Sequence, residues 1–460
     1  MDLLLLSKTR ADSSWDKKGG RKSYPFPTTP HLNWRMSPRD VSLDVFRGIV
    51  MIGMIMVDNQ GNFSCVFPSQ FEHSEWEGTT LADMVFPSFL FAMGAAIPYA
   101  LASRNISVRA TTQEKSQFFL RKILLRSILL IAIGAFLNLL ALHFDIWHWR
   151  FMGILQRLGI CYFFTSLFIM MAGPAGAASV AFVSLFLYFM LCLILGGGGA
   201  NCEEESPSWE ERYSQNCTLA GWVDQTILTP PHMLTPNYDP EGLLGSIPSC
   251  FNVAMGALVS YLQMLVSREE RADRFLSMRN YFPALLLVGA SSAFVANYSS
   301  SILDIPMIKS IWTVTFAMYS VSFSVFLLGV VGTTSQYGYE PLEMLHRNLP
   351  ESSARIWGVM LSIGKSPFYV LIALGRNPLL IFIQMILWEI VLLFQIDGRS
   401  IQAYLFGFLF RLLQWHGLVT RFVGQSVMCH LLSGWFALMT VIGLSAFAVV
   451  YHWRRIYLRL

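Results

Sequence analysis

FEHSEWEGTTLADMVFP, residues 71–87, sets a histidine among acidic and aromatic side chains immediately before an apolar run that continues to residue 101. A helix needs about 20 predominantly apolar residues to cross the hydrocarbon core of a bilayer, so this stretch reads as a polar loop feeding a membrane span. His73 then lies at a membrane surface. Its imidazole has an unperturbed pKa near neutrality and can both give and take a proton there.

The same reading extends along the chain. Of 460 residues, 54% are hydrophobic and 13% charged, and the mean hydropathy is +0.48, far too apolar for a soluble domain of this length. Runs of spanning length fall at 41–57, 81–101, 120–142, 151–171, 177–195, 243–265, 281–295, 308–331, 367–394 and 427–451. The expected fold is an all-α polytopic membrane protein, a bundle of about ten transmembrane helices with one sizeable exterior loop at 196–242. A shorter piece at 401–413 is too brief to cross and reads as re-entrant or interfacial, with an eleventh span as the alternative.

Lysine and arginine set the orientation. Lys8, Arg10, Lys17, Lys18, Arg21, Lys22, Arg35 and Arg39 precede the first span, whereas the loop at 59–80 carries neither residue. Residues 1–38 therefore read as a disordered cytosolic tail. Ten spans also put Arg104 to Lys122, Arg268 to Arg279 and the C-terminal YHWRRIYLRL on the cytosolic side. The net charge of +4 is a matter of loop asymmetry; the bilayer is the expected partner, and no nucleic acid is. The sequons at Asn62, Asn216 and Asn297 fall outside the cytosol in this topology, and only that at Asn105 falls inside. Cys202 and Cys217 share the exterior loop and are candidates to pair in an oxidising lumen. The other cysteines lie in or near apolar spans and read as small buried hydrophobes.

Ionisable side chains inside spans are costly, so each is a candidate functional position. Asp44 and Arg47 share a helical face at the cytosolic end of the first span and are able to pair. Asp58 and Asn59 end that span, and Asp83 opens the second. Gln156 and Arg157 lie about a turn and a half into the fourth, with Asp145 or Asp83 as candidate carboxylates for Arg157. Asp239 and Glu241 precede the sixth span, where capping explains them as well as ligand binding does. Lys309 and Trp312 open the eighth, and snorkelling accounts for Lys309. Arg376 and Asn377 make a polar break beside Pro378 in the ninth.

Taken in order, SLDVFRGIVMIGMIMVDNQG, HSEWEGTTLADMVFPSFLFAMG, GILQRLGICYF, DPEGLLGSIPS, IPMIKSIWT and LGRNPLL resemble the heparan-alpha-glucosaminide N-acetyltransferase family, including its plant and bacterial relatives. The resemblance implies that residues 39–460 form a transmembrane acyltransferase domain. It would move an acetyl group from cytosolic acetyl-CoA to a glucosamine-type amine or glycan on the lumenal or extracellular side. His73 matches the family's catalytic histidine and would serve as general base or as acetyl carrier. Val-Asp-Asn at 57–59 is similar to the plant and protist branch. An acidic exterior loop disfavours a sulfated polyanion as acceptor.

The residues and the resemblance together give His73, Asp58 and Asp83 as catalytic candidates. Asp44, Arg47, Gln156, Arg157 and Asn377 are the candidates for the donor, and Trp76, Asp239, Glu241, Lys309 and Trp312 for the acceptor. No metal is expected, and a homodimer is left open. A lysosomal, vacuolar, other endomembrane or plasma-membrane location is implied, with both termini cytosolic. The alternatives are transfer to a hydroxyl and a polytopic transporter of a small polar solute, for which the inverted repeats usual in such folds are not visible in the sequence.

Overall fold

A computed structural model describes residues 41–102, 112–196, 202, 208–209, 211–269, 274–339, 367–396, 398–415 and 425–458. The expected tail at 1–38, the basic connections at 103–111 and 270–273, and the sequon at Asn105 lie outside them. The elements are α1 (Val41–Asp58), α2 (Leu81–Ala102), α3 (Thr112–Ala141), α4 (Ile154–Ala172), α5 (Pro174–Leu195), α6 (Leu219–Ile227), α7 (Ser246–Glu269), α8 (Arg274–Leu303), α9 (Val314–Thr334), α10 (Pro367–Arg376), α11 (Pro378–Leu393), α12 (Ile401–Trp415) and α13 (Gln425–Trp453). The strand pairing among the described residues is one ladder of Gln395–Ile396 with Arg399–Ser400.

Eight of these helices, α2 to α5, α7 to α9 and α13, are long and apolar enough to cross a bilayer. In hydrocarbon a backbone must satisfy its own hydrogen bonds, which is why the apolar runs are helices. α10 and α11 make a further span bent by 87° where Asn377 precedes Pro378, since proline cannot donate into the helix and clashes with the preceding turn. α1 adds 18 residues interrupted by Asp44, Arg47 and Asp58. The chain is an all-helical multi-pass membrane protein.

α1 is the axis of the bundle. Leu43, Phe46 and Val50 pack with Phe91, Phe282, Val325 and Leu328 from α2, α8 and α9. Met51, Met54 and Ile55 pack with Leu137, Ile381, Met385 and Leu444 from α3, α11 and α13. Small residues allow the closest crossings, as is common between membrane helices. A Cβ on Gly94 would lie 1.8 Å from the Val253 carbonyl oxygen, and one on Gly256 would lie 2.0 Å from that of Phe91. α2 and α7 thus touch backbone to backbone.

The N-termini of α2, α4, α7, α9 and α13 gather around the loop that carries His73. For α13 the tie is covalent. Cys65 and Cys429 form a disulfide, and Cys202 is bonded to Cys217 as the loop spacing suggests. The reading of Cys65 and Cys429 as buried hydrophobes is therefore corrected; an apolar flank hides the pairing because both residues sit where loop meets helix. The same bond settles where α12 lies. Gln402 donates to the Gln60 carbonyl, and Phe406 packs with Cys65 and Leu432. The start of α12 and the start of α13 thus share one end of the bundle, so α12 does not cross it. Tyr404, Leu405, Phe408 and Leu412 are left exposed on α12, as suits a helix lying in an interface.

Candidate functional site

The loop between α1 and α2 is locked to the first turn of α2 by Asp83. Thr80 and Asp83 form a capping-box arrangement: Asp83 Oδ2 accepts from Thr80 N (3.0 Å) and Thr80 Oγ1 (3.1 Å). It also accepts from Ser74 N (3.3 Å) and Ser74 Oγ (3.0 Å). The other oxygen, Oδ1, is turned to the chemistry. It lies 2.9 Å from His73 Nδ1 and 3.3 Å from Lys309 Nζ. A carboxylate on Nδ1 fixes that nitrogen as the N–H donor and leaves the Nε2 lone pair outward. Lys309 Nζ sits over the ring edge, 3.0 Å from Nδ1 and 3.4 Å from Nε2. Lys309 is thus part of a His–Asp–Lys cluster, which snorkelling alone does not explain. The His73 side chain is 47% exposed and Asp83 fully buried.

His73 opens onto a cavity of about 290 Å³ walled by Val57, Phe63, Val66, Phe71 and Leu392, with Asp58, Asn59 and Glu389 as its deep polar groups. A second cavity, about 340 Å³, lies below it and is lined by Met54, Phe89, Met93, Ile154, Leu158 and Phe382. Its polar mouth is made by Arg47 and by Arg126, whose Nη1 donates to the Tyr162 hydroxyl (3.2 Å). From Arg47 to Met54 on α1 the helical rise is about 10 Å. Along α1, Met54 borders the lower cavity and Val57 the upper; along α11, Phe382 and Glu389 do the same. The two cavities are therefore stacked on the same two helices, with the fully buried Met385 between them in sequence.

Several positions singled out in the sequence land elsewhere. Asp44 pairs with Arg47 (3.7 Å) and also with Arg376 (3.1 Å), so it anchors the arginine end; its negative charge is unsuited to phosphate. Asn377 holds the α10–α11 bend by donating to the Ile456 carbonyl (2.9 Å). Gln156 and Arg157 occupy the first turn of α4, at the His73 end, away from the Arg47 mouth. Neither Asp145 nor Asp83 is the partner of Arg157. Asp145 is taken by His148 (2.7 Å), and Arg157 donates to the Gly242 carbonyl (3.1 Å) and lies 5.0 Å over the Trp312 ring. Trp312 is itself buried, its indole donating to Asn252 Oδ1 (3.3 Å). It packs the core and does not face the cavity.

The segment between α5 and α7 is held by an ion-pair network that the sequence reading did not contain. Asp239 accepts from Arg150 Nε and Nη2, Leu234 N and Glu241 N. Those donors occupy the lone-pair sites of a carboxylate, so Asp239 fastens the segment and is not offered to an acceptor. Glu241 is bonded by Arg150 as well. Burial opposes the charges of Glu241 and Arg150, and their mutual attraction more than offsets it: Glu241 is held below the usual carboxyl range and Arg150 above its own. Trp76 ties the His73 loop to this segment through the Tyr213 carbonyl (2.9 Å) and a ring contact with Tyr238.

Asp224, on the short helix α6, accepts from Leu243 N (2.9 Å) and Asp239 N (3.3 Å). Burial pushes its carboxyl up to about 6. A folded-state value raised above that of the unfolded chain means the protonated form is favoured on folding. Stability from this group is full at acid pH and is lost as pH rises toward and past 6, by on the order of 3 kcal/mol. We expect the protection factors of amides in residues 219–244, taken relative to the intrinsic exchange rate at each pH, to rise between pH 7 and pH 5, and Asp224→Asn to remove that rise. Equal protection factors at both pH values in the native chain would refute this.

Arg126, Arg150 and Glu389 are the site residues that the sequence reading missed. Glu389 stands alone in an apolar run, the signal that flags an intramembrane ionisable group, whereas Arg126 follows Arg121 and Lys122 and is hidden as part of a basic helix end. Arg150 sits in a short connection and carries no such signal.

Geometry and composition define a multi-pass membrane protein with a His–Asp–Lys cluster over two stacked cavities. Comparison with known proteins supports the family read from the motifs. The chain is 28% identical over 340 residues to heparan-alpha-glucosaminide N-acetyltransferase of Homo sapiens, covering 65% of this chain and 49% of that protein. It is 26% identical over 333 residues to the Mus musculus protein of the same name, covering 62% and 48%. The chain thus spans about half the length of the curated relatives it matches. Residues 39–175 also match a family model described as a domain of unknown function (DUF5009).

Proposed function

We propose that this chain is a transmembrane acetyltransferase that carries an acetyl group from acetyl-CoA, entering at the Arg47 end, to an acceptor amine at the His73 end. The stacking of the two cavities on α1 and α11 carries the reading. A basic mouth suits a phosphorylated head, an apolar bore suits a slim acyl-pantetheine arm, and a base with an outward lone pair stands at the far end. Asp83 orients His73. Lys309 lies where it can hold the carbonyl oxygen of the acetyl group as it gains negative charge. His73 Nε2 takes the amine proton and returns it to the departing sulfur, or is itself acetylated first. The Cys65–Cys429 bond at the His73 end supports a lumenal or extracellular side there, where disulfides persist.

The donor side is tested at Arg47 and Arg126. Loss of one charged hydrogen bond costs about 1.5–3 kcal/mol, so Arg47→Ala and Arg126→Ala should each raise the acetyl-CoA KM by roughly tenfold to a hundredfold, with the acceptor KM unmoved. Arg47→Ala should melt near the native temperature, because Asp44 keeps Arg376 at 3.1 Å. An unchanged acetyl-CoA KM in both variants would reject the proposed entry.

A further inference from the structure

Glu389 has no place in the acetyltransfer scheme, yet its carboxyl group lines the upper cavity. It lies on α11 opposite Asp58 of α1, and the two carboxylates act on one another. Among the described residues neither makes an ion pair with a lysine or arginine; Lys309 is within 3.3 Å of Asp83, and it and His73 act on Asp58 from farther off. Asn59 stands beside them, 1% exposed. Its amide nitrogen donates to Glu389 Oε1 (3.2 Å), and its amide oxygen has no hydrogen-bond partner. Two carboxyl groups and an orphaned amide oxygen are set in a wall of Val57, Phe63, Val66, Phe71 and Leu392. An unmet acceptor in such a wall is costly, and the carboxyl groups can hold negative charge there only beside a cation that brings donors of its own. A primary ammonium has one positive charge and three N–H groups.

We propose that Asp58, Asn59 and Glu389 form an ammonium cradle that selects a cationic primary amine as acceptor and strips its first proton. The proposal rests on the acetyltransfer reading and supplies a step that reading lacks. An amine that arrives as R–NH3⁺ has no lone pair and must lose two protons in becoming an amide, while His73 accounts for one. One ammonium proton passes to the Asp58–Glu389 pair. The neutral nitrogen then attacks the acetyl carbonyl carbon, forming the N–C bond. His73 Nε2 accepts the second proton, the C–S bond breaks, and the sulfur leaves with its electron pair and takes that proton from His73. The products are R–NH–CO–CH3, the free thiol and one proton held on the carboxylate pair, to be released to solvent.

The test uses the purified full chain in nanodiscs with two probes that differ at one group, glucosamine and glucose. Without acetyl-CoA, glucosamine should raise the melting temperature and glucose should not. With acetyl-CoA, glucosamine should be acetylated with at least a hundredfold preference in kcat/KM. Glu389→Gln, which keeps a hydrogen-bond acceptor for Asn59, should raise the glucosamine KM at least tenfold and lower kcat while the acetyl-CoA KM stays put; Glu389→Asp should recover most of the loss. Should Glu389→Gln not fold, Asn59→Ala and Asp58→Asn carry the same test, each expected to raise the glucosamine KM at least tenfold with the acetyl-CoA KM unmoved. Native glucosamine kinetics in the folded variants would overturn the cradle while leaving acetyl transfer standing. Absence of acetyl-CoA binding to the native chain would instead overturn the acetyltransfer reading.

Discussion

His73→Ala is expected to abolish acetyl transfer, by about 10²–10⁴ if the ring acts as general base and by more if it carries the acetyl group. The protein should remain folded, since the side chain is 47% exposed and contributes little packing. What the variant removes is the lone pair at the mouth of the upper cavity. It leaves the Asp83–Lys309 contact and the Asp83 bonds to Ser74 and Thr80 in place. Kinetics and a melt on the same preparation check both halves. Activity within about threefold of native would reject His73 as the base.

Asp83 should be nearly as sensitive for a different reason. Its Oδ2 takes the loop donors and its Oδ1 takes His73. In Asp83→Asn one oxygen must serve the loop, so the amide NH2 turns toward His73 Nδ1. The imidazole then moves its proton to Nε2, the atom that has to accept one. Losses on the order of 10⁴ follow such a tautomer reversal in the serine-protease triad, and a fall of about 10³ or more in kcat is expected here with the acetyl-CoA KM preserved. Asp83→Ala should lose stability too, by about 0.5–2 kcal/mol for the missing cap, because the Thr80 and Ser74 donors are left facing a void. An Asn variant within tenfold of native kcat would sink the orienting role.

Why the bundle is legible from sequence and much of the site is not comes down to range. α2, α5, α9 and α13 are readable because hydrocarbon tolerates little but continuous apolar helix, and the α10–α11 break is announced by Asn377-Pro378. The His73–Asp83 pair is also local, ten residues apart across a capping box. By contrast, Asp239 meets Arg150 across 89 positions, and Asp58 and Glu389 line one cavity from two helices far apart in sequence. Residue type gives the cost of such a charge and cannot name its partner. Asp239 and Glu241 accordingly read as ligand candidates and prove to be fastenings. Trp312 reads as an acceptor contact because it follows Lys309, but it turns inward to Arg157 and Asn252.

The bond between Cys65 and Cys429 joins positions 364 residues apart, and that spacing bears on how the site comes into being. The histidine motif emerges with the first two helices, long before its support exists. The loop it sits in acquires its covalent anchor, and its hydrogen bonds from Ser433 and His430, only when the final helix is delivered. A ribosome that stops short of residue 425 would release a chain bearing every residue of the His–Asp–Lys cluster beside an unclosed chamber. Closure of the chamber around His73 therefore waits on the delivery of α13, however early the histidine motif itself is made.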